Sequence, residues 1–143
     1  KPFADSGADV ITIHAEAKEN ILDTLINIKK LGLKAGISIK PDTNEKKIEH
    51  LIEFCDLILI MTVNPGFGGQ KFIKKKLRKI SNLRNKISNL GLDIDIEVDG
   101  GINEETSKLC IEAGANILVA GSAIFKKNKQ QYSKMISLLR HEN

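Results

Sequence analysis

Few stretches of this sequence could do chemistry on a small molecule, and the most informative is Asn64-Pro65-Gly66-Phe67-Gly68-Gly69-Gln70, a nearly uncharged loop after the apolar run Leu57 to Met61. Three glycines within four residues let the main chain approach a ligand closely. Loops of this kind cradle phosphate through their N–H groups, although such a stretch taken alone reads first as a flexible turn. Two later segments repeat the design. Ile96-Glu97-Val98 leads into Asp99-Gly100-Gly101, and Ile117-Leu118-Val119-Ala120 leads into Gly121-Ser122, so small residues again follow an apolar run. Asp99 adds a carboxylate that can take a proton from carbon if its surroundings adjust its pKa. An aspartate before Gly-Gly also serves turns by accepting backbone N–H groups two residues on, and the motif alone leaves the two roles level. None of the three loops contains arginine or lysine, so an anion there would be held by backbone dipoles and the Ser122 hydroxyl.

These loops need elements to hold them. Strands are expected at Val10 to His14, Lys34 to Ile39, Leu57 to Thr62, Ile94 to Val98 and Ile117 to Ala120, as near-continuous apolar runs typical of parallel strands covered on both faces. Helical patterns lie between them, at Asn20 to Leu31, Glu45 to Phe54, Lys71 to Leu90 and Glu104 to Ala113, with a last one from about Lys129 to Leu139. Gly32 and Gly114 fall where helices should stop, and Asn103 with Glu105 and Thr106 opens one as an N-cap. Regular strand-helix alternation predicts a parallel α/β fold and suggests a βα-barrel. A complete eight-unit barrel takes roughly 250 residues, and 143 residues supply five units. The chain also opens without methionine, in what reads as a helix end (Pro2 to Ser6, stopped by Gly7), so an amino-terminal truncation is expected. In barrels, catalytic groups sit at the carboxyl ends of strands, which favours the catalytic role for Asp99. Phosphate frequently binds at the last two such loops and a short extra helix, here Gly100-Gly101, Gly121-Ser122 and Ser122 to Phe125.

Four motifs in order, Ile13-His14-Ala15-Glu16-Ala17, Met61 through Gln70 with Phe72, Val98-Asp99-Gly100-Gly101-Ile102, and Gly114-Ala115-Asn116 leading to Ala120-Gly121-Ser122-Ala123-Ile124-Phe125, resemble the ribulose-phosphate 3-epimerase family across essentially the whole chain. The resemblance implies a (β/α)8 TIM barrel of the ribulose-phosphate-binding type, of which residues 1–143 form one partial domain holding strands four to eight. It implies epimerisation of D-ribulose 5-phosphate to D-xylulose 5-phosphate in the pentose phosphate pathway, by two aspartates that act as acid and base and bind one divalent metal (Zn, Fe, Mn or Co) together with two histidines. Asp99 matches one aspartate, as catalytic residue, metal ligand and substrate contact; the other ligands belong to strands without counterpart here, so the chain alone is expected to be inactive. Substrate contacts carried over are Gly66, Phe67, Gly68, Gly69, Gly100, Gly101, Gly121 and Ser122, with Met61 on the apolar floor. The implied partner is a small sugar phosphate, with a homo-oligomeric full-length protein, in the cytoplasm or a plastid. Two other readings stay open, an epimerase of another ketose phosphate such as allulose 6-phosphate, and a phosphate-binding barrel fragment without catalysis.

A net charge of +4 and a pI near 9.0 raise nucleic acid as a partner. Lys71, Lys74, Lys75, Lys76, Arg78 and Lys79 are interleaved with Phe72, Ile73, Leu77 and Ile80 at helical spacing, which describes a solvated helix face instead. With one Tyr and no Trp to stack bases, no nucleic-acid role is expected. Cys55 and Cys110 read as buried free thiols, and no apolar run reaches membrane-span length. His14 ends a strand on the catalytic side, with Glu16 as its hydrogen-bond partner or as a helix N-terminal charge; packing is its other role. His50 and His141 read as surface residues.

Overall fold

The computed structural model describes residues 1–63 and 76–141. Five parallel strands form one sheet in sequence order: β1 (Val10–His14), β2 (Lys34–Ile39), β3 (Leu57–Met61), β4 (Asp95–Asp99) and β5 (Ile117–Val119). Each strand pairs with its neighbours in the chain, so the sheet is an arc of barrel wall with β1 and β5 as its edges. The helices are α1 (Pro2–Asp5), α2 (Ile21–Lys30), α3 (Leu77–Asn89), α4 (Glu104–Glu112), α5 (Ser122–Phe125) and α6 (Tyr132–Arg140). Lys71 to Lys75, expected to open the third helix, lie outside the described residues.

Side-chain alternation divides each strand between two environments. Ala35, Ile37 and Ile39 of β2, Ile58 and Ile60 of β3, and Ile96 and Val98 of β4 are fully buried, in one cluster with Leu25 of α2 and Ile80, Leu83 and Ile87 of α3. This layer between sheet and helices is the hydrophobic core. The alternate residues line the inner surface of the arc in rows set by register. His14, Ser38, Leu59, Glu97 and Ile117 form one row, and Met61, Asp99 and Val119 form the next, at the carboxyl end.

One expected helix takes a different form. Glu45–Phe54 is a 3₁₀ helix of ten residues, long for its kind. Ile48, Leu51 and Phe54 recur every third residue, and a helix with three residues per turn stacks them in one line toward the core. The last helical pattern divides into a short 3₁₀ turn, Lys129–Gln131, and α6. Asp99 falls inside β4, one residue beyond the expected strand end, which gives its side chain a fixed direction.

Candidate active site

The sequence Asp95-Ile96-Glu97-Val98-Asp99 places three carboxylates on one face of a strand, because its period is two. Ile96 and Val98 drive this orientation by filling the core on the other face. Asp99 ends the column at the carboxyl end of the wall, between Met61 and Val119. Among the described residues its carboxylate accepts no hydrogen bond, and burial alone pushes its pKa above the ordinary 3.8. Glu97, one layer deeper, is also raised, by burial first and then by the charges of Asp99 and Asp95. A half-buried carboxylate without internal partners is a group disposed to take up a proton. In the turn role, the carboxylate would have been occupied by backbone N–H groups.

The turn after Asp99 is held by other atoms. The Asp99 carbonyl accepts from Thr62 N at 2.9 Å and from Thr62 Oγ1 at 3.0 Å, and the Gly100 carbonyl accepts from Thr62 Oγ1 at 2.6 Å. The Gly101 carbonyl accepts from Thr106 Oγ1 at 2.9 Å. Thr106 and Asn103 form a reciprocal capping box that starts α4. Gly100 has φ +124°, and a Cβ there would stand 2.5 Å from Val63 Cγ2 and 2.9 Å from Val63 N. The fold itself demands this glycine.

Gly121 differs in both respects. It precedes α5 with φ −97°, and a Cβ built on it meets no atom of the described residues within 4 Å. Ser122 is the first residue of α5, with Gly121 as its N-cap. The two glycine turns follow adjacent parallel strands at the same end of the wall. An uncrowded glycine turn and a carboxylate without a partner among the described residues are thus neighbours.

Of the other expected site residues, Gly66, Phe67, Gly68 and Gly69 lie outside the described residues. Met61 is buried beside Asp99 in the inner row. His14 faces the inner surface, with Nδ1 2.8 Å from Ser38 Oγ and 3.6 Å from Glu16 Oε2. Glu16 is no helix charge, since α2 begins only at Ile21. Its carboxylate instead accepts the Lys40 N–H at 2.9 Å and the Thr43 hydroxyl. His50 is exposed as expected, but His141 does more than sit at the surface: it ends α6 with φ +55° and shares a 2.9 Å hydrogen bond with Ser107 Oγ.

Lys79 corrects the reading of α3 as a solvated basic face. It is 7% exposed, and its ammonium donates to the carbonyls of Lys40 (3.1 Å), Pro41 (3.0 Å) and Thr43. The signal was in the spacing, since Lys79 stands four residues before Leu83 and eight before Ile87, both on the buried side of α3. Glu97 was equally open to discovery from the alternation in β4. Cys55 and Cys110 are buried free thiols, each pushed by burial to a pKa of about 12. Among the described residues no three His, Cys, Asp or Glu side chains converge as a metal site, and no helix is long and apolar enough to cross a membrane.

Comparison with known proteins gives this arrangement its relatives. The profile of the ribulose-phosphate 3 epimerase family matches residues 1–125. The chain is 49% identical over 139 residues to ribulose-phosphate 3-epimerase of Bacillus subtilis, covering 96% of this chain and 63% of that one. It is 48% identical over 125 residues to the chloroplastic ribulose-5-phosphate-3-epimerase of Arabidopsis thaliana, covering 86% of this chain and 44% of the relative. The chain therefore spans less than two thirds of the length of either. Among solved structures, 3-hexulose-6-phosphate synthase from Salmonella typhimurium superposes with a TM-score of 0.69 at 22% identity, over 97% of this chain and 65% of the other. That likeness is one of fold, and it places the five βα units as TIM-barrel wall.

Proposed function

This chain belongs to the ribulose-phosphate 3-epimerase family, and we propose that it carries the acid-base carboxylate and two phosphate-facing turns of an enzyme interconverting D-ribulose 5-phosphate and D-xylulose 5-phosphate. The observation that carries the proposal is Asp99, half-buried at the carboxyl end of an inner strand face, unpartnered among the described residues and raised in pKa by burial. Inverting a carbon next to a ketone starts with removal of its proton. The Asp99 carboxylate takes that proton, and the electron pair of the C–H bond passes into an enediolate. A second acid on the opposite face returns a proton to the same carbon and completes the inversion. Gly100-Gly101 and Gly121-Ser122 face the phosphate, and the loop containing Gly66, Phe67, Gly68 and Gly69 belongs to the same substrate-binding set.

One divalent metal ion, Zn, Fe, Mn or Co, is the proposed cofactor, and Asp99 is the ligand this chain would contribute. When bound, it would polarise the ketone and hydroxyl oxygens of the substrate. The described residues do not make a metal site by themselves, and the proton transfer above rests on the carboxylate. Buried thiols held protonated suit a reducing compartment, cytoplasm or plastid stroma. A homo-oligomeric state is part of the same proposal.

The test is solvent exchange in an enzyme of the relatives' full length carrying these residues. Ribulose 5-phosphate in deuterated buffer should gain deuterium at carbon 3 as xylulose 5-phosphate appears. Loss of the label gain in wild type would refute the reaction, and the same assay with allulose 6-phosphate decides sugar length.

A further inference from the structure

Four polar side chains around the ends of β1 and β2, those of Glu16, Ser38, Thr43 and Lys79, stand outside the proton-transfer and phosphate-facing groups, and together they surround the imidazole of His14. Glu16 Oε1 accepts the Lys40 N–H at 2.9 Å and the Thr43 hydroxyl, so the carboxylate is pinned to the loop that follows β2. From the other side, the Lys79 ammonium takes the carbonyls of Lys40, Pro41 and Thr43. Anion on the donors and cation on the acceptors leave this loop little freedom. Glu16 Oε2 is buried and has no hydrogen-bond partner among the described residues. His14 Nδ1 stands 3.6 Å from it, too long for a hydrogen bond but within electrostatic reach.

The Ser38 contact fits either tautomer, and the field of Glu16 favours one of them. With the proton on Nε2, His14 would turn the Nδ1 lone pair toward an anionic oxygen withdrawn from water. With the proton on Nδ1, it donates to Ser38 Oγ at 2.8 Å and points positive charge at Glu16. His14 belongs to the inner face of β1, and its side chain is 48% exposed. Nε2 then offers a lone pair at the same end of the wall as Asp99. A lone pair accepts a hydrogen bond from a hydroxyl and repels a phosphate oxygen.

We propose that Glu16 is a positioning residue that keeps the His14 proton on Nδ1, and that His14 Nε2 accepts a hydrogen bond from a hydroxyl of the bound sugar phosphate; this rests on the sugar-phosphate reading above.

The experiment is long-range ¹⁵N–¹H correlation of the histidine rings in an enzyme of the relatives' length, free and with two probes. The probes are ribitol 5-phosphate, a reduced analogue with every hydroxyl in place, and inorganic phosphate. Expected in the free protein is an unprotonated Nε2 on His14, shifting toward the other tautomer in Glu16→Gln, which keeps the size and loses the charge. Ribitol 5-phosphate should move the Nε2 resonance and inorganic phosphate should not. Glu16→Gln should weaken ribitol 5-phosphate about tenfold, the worth of one hydrogen bond, while inorganic phosphate binds as before. A protonated Nε2 in wild type overturns the proposal with no variant needed. So does a Glu16→Gln protein that keeps both tautomer and affinity. Failure of wild type to bind ribitol 5-phosphate, with the tautomer as expected, would instead refute the sugar-phosphate reading and with it the role of Nε2.

Discussion

The two sides of the barrel wall end differently. Beyond β1 and β2, polar groups satisfy one another with the exception of Glu16 Oε2: Glu16 Oε1 with Lys40 and Thr43, Lys79 with three carbonyls, His14 with Ser38. Beyond β4 and β5, backbone groups are tied by Thr62 and Thr106, but the Asp99 carboxylate has no partner among the described residues and the space over Gly121 is open. Internal satisfaction stabilises, whereas a buried group left without a partner costs stability and is kept where a ligand will meet it. The same residue type can fall on either side of this division. Gly100 is required by the chain's own packing, and Gly121 is not.

Substitution on each side should therefore fail in a different currency, stability or ligand. The largest effect is expected from Gly100→Val, which forces a positive φ on a branched residue and drives its Cβ against Val63; about 4 kcal/mol of stability should go, read as a lowered denaturation midpoint. Lys79→Met takes the donor from the buried Pro41 and Thr43 carbonyls, while the Lys40 carbonyl keeps the Thr43 N–H, and should cost about 3 kcal/mol in the same denaturation series. A loss under about 0.5 kcal/mol would return Lys79 to the solvated face that the sequence suggests.

Asp99→Asn should lower turnover at least ~100-fold without lowering stability. The sign follows from linkage: a carboxylate whose folded pKa lies above its unfolded 3.8 is protonated more readily in the folded state, so ionisation at neutral pH opposes folding and asparagine removes that penalty. Near-normal turnover in a coupled assay would make Asp99 a turn residue after all. Gly121→Val should weaken inorganic phosphate as an inhibitor by about tenfold, while its melting point falls far less than that of Gly100→Val. Equal losses of stability in the two glycine variants would erase the distinction between the turns.

The smallest effect concerns acid. Burial works against ionisation of Glu16, but the Thr43 hydroxyl, the Lys40 N–H and the neighbouring His14 together hold its carboxyl below the ordinary 4.5. Its contribution should be complete above pH 4.5 and disappear as pH falls through the lower folded value. The gap in melting temperature between wild type and Glu16→Gln should accordingly close below pH 4.5, and a gap that widens there would contradict the assignment.

Much of the fold was legible in the sequence because it rests on local patterns. The five strands lie within one residue of where they were read, since the face of each that packs on the helices is apolar. The site was half legible. Asp99 could be placed at a strand end, but the choice between turn and chemistry depended on what its carboxylate touches, which no neighbouring residue reveals. Glu16 and Lys79 meet through a loop that is 24 residues from one and 36 from the other, and separations of that length leave no periodic trace. The 3₁₀ form of Glu45–Phe54 was hidden by Ile52, which lies four residues after Ile48 and suits an α-helix equally well.

Thr62 bonds the carbonyls on both sides of the Gly100 Cα, through its own N–H and its hydroxyl. The carboxylate is thus framed by a residue 37 positions earlier in the chain. Anyone transplanting this aspartate into another barrel would have to carry three separate pieces of sequence, the strand with its Gly-Gly, Thr62 from the preceding strand end, and Thr106 from the following helix. The portable unit is a stitched corner of the wall, and the contiguous motif is only its visible edge.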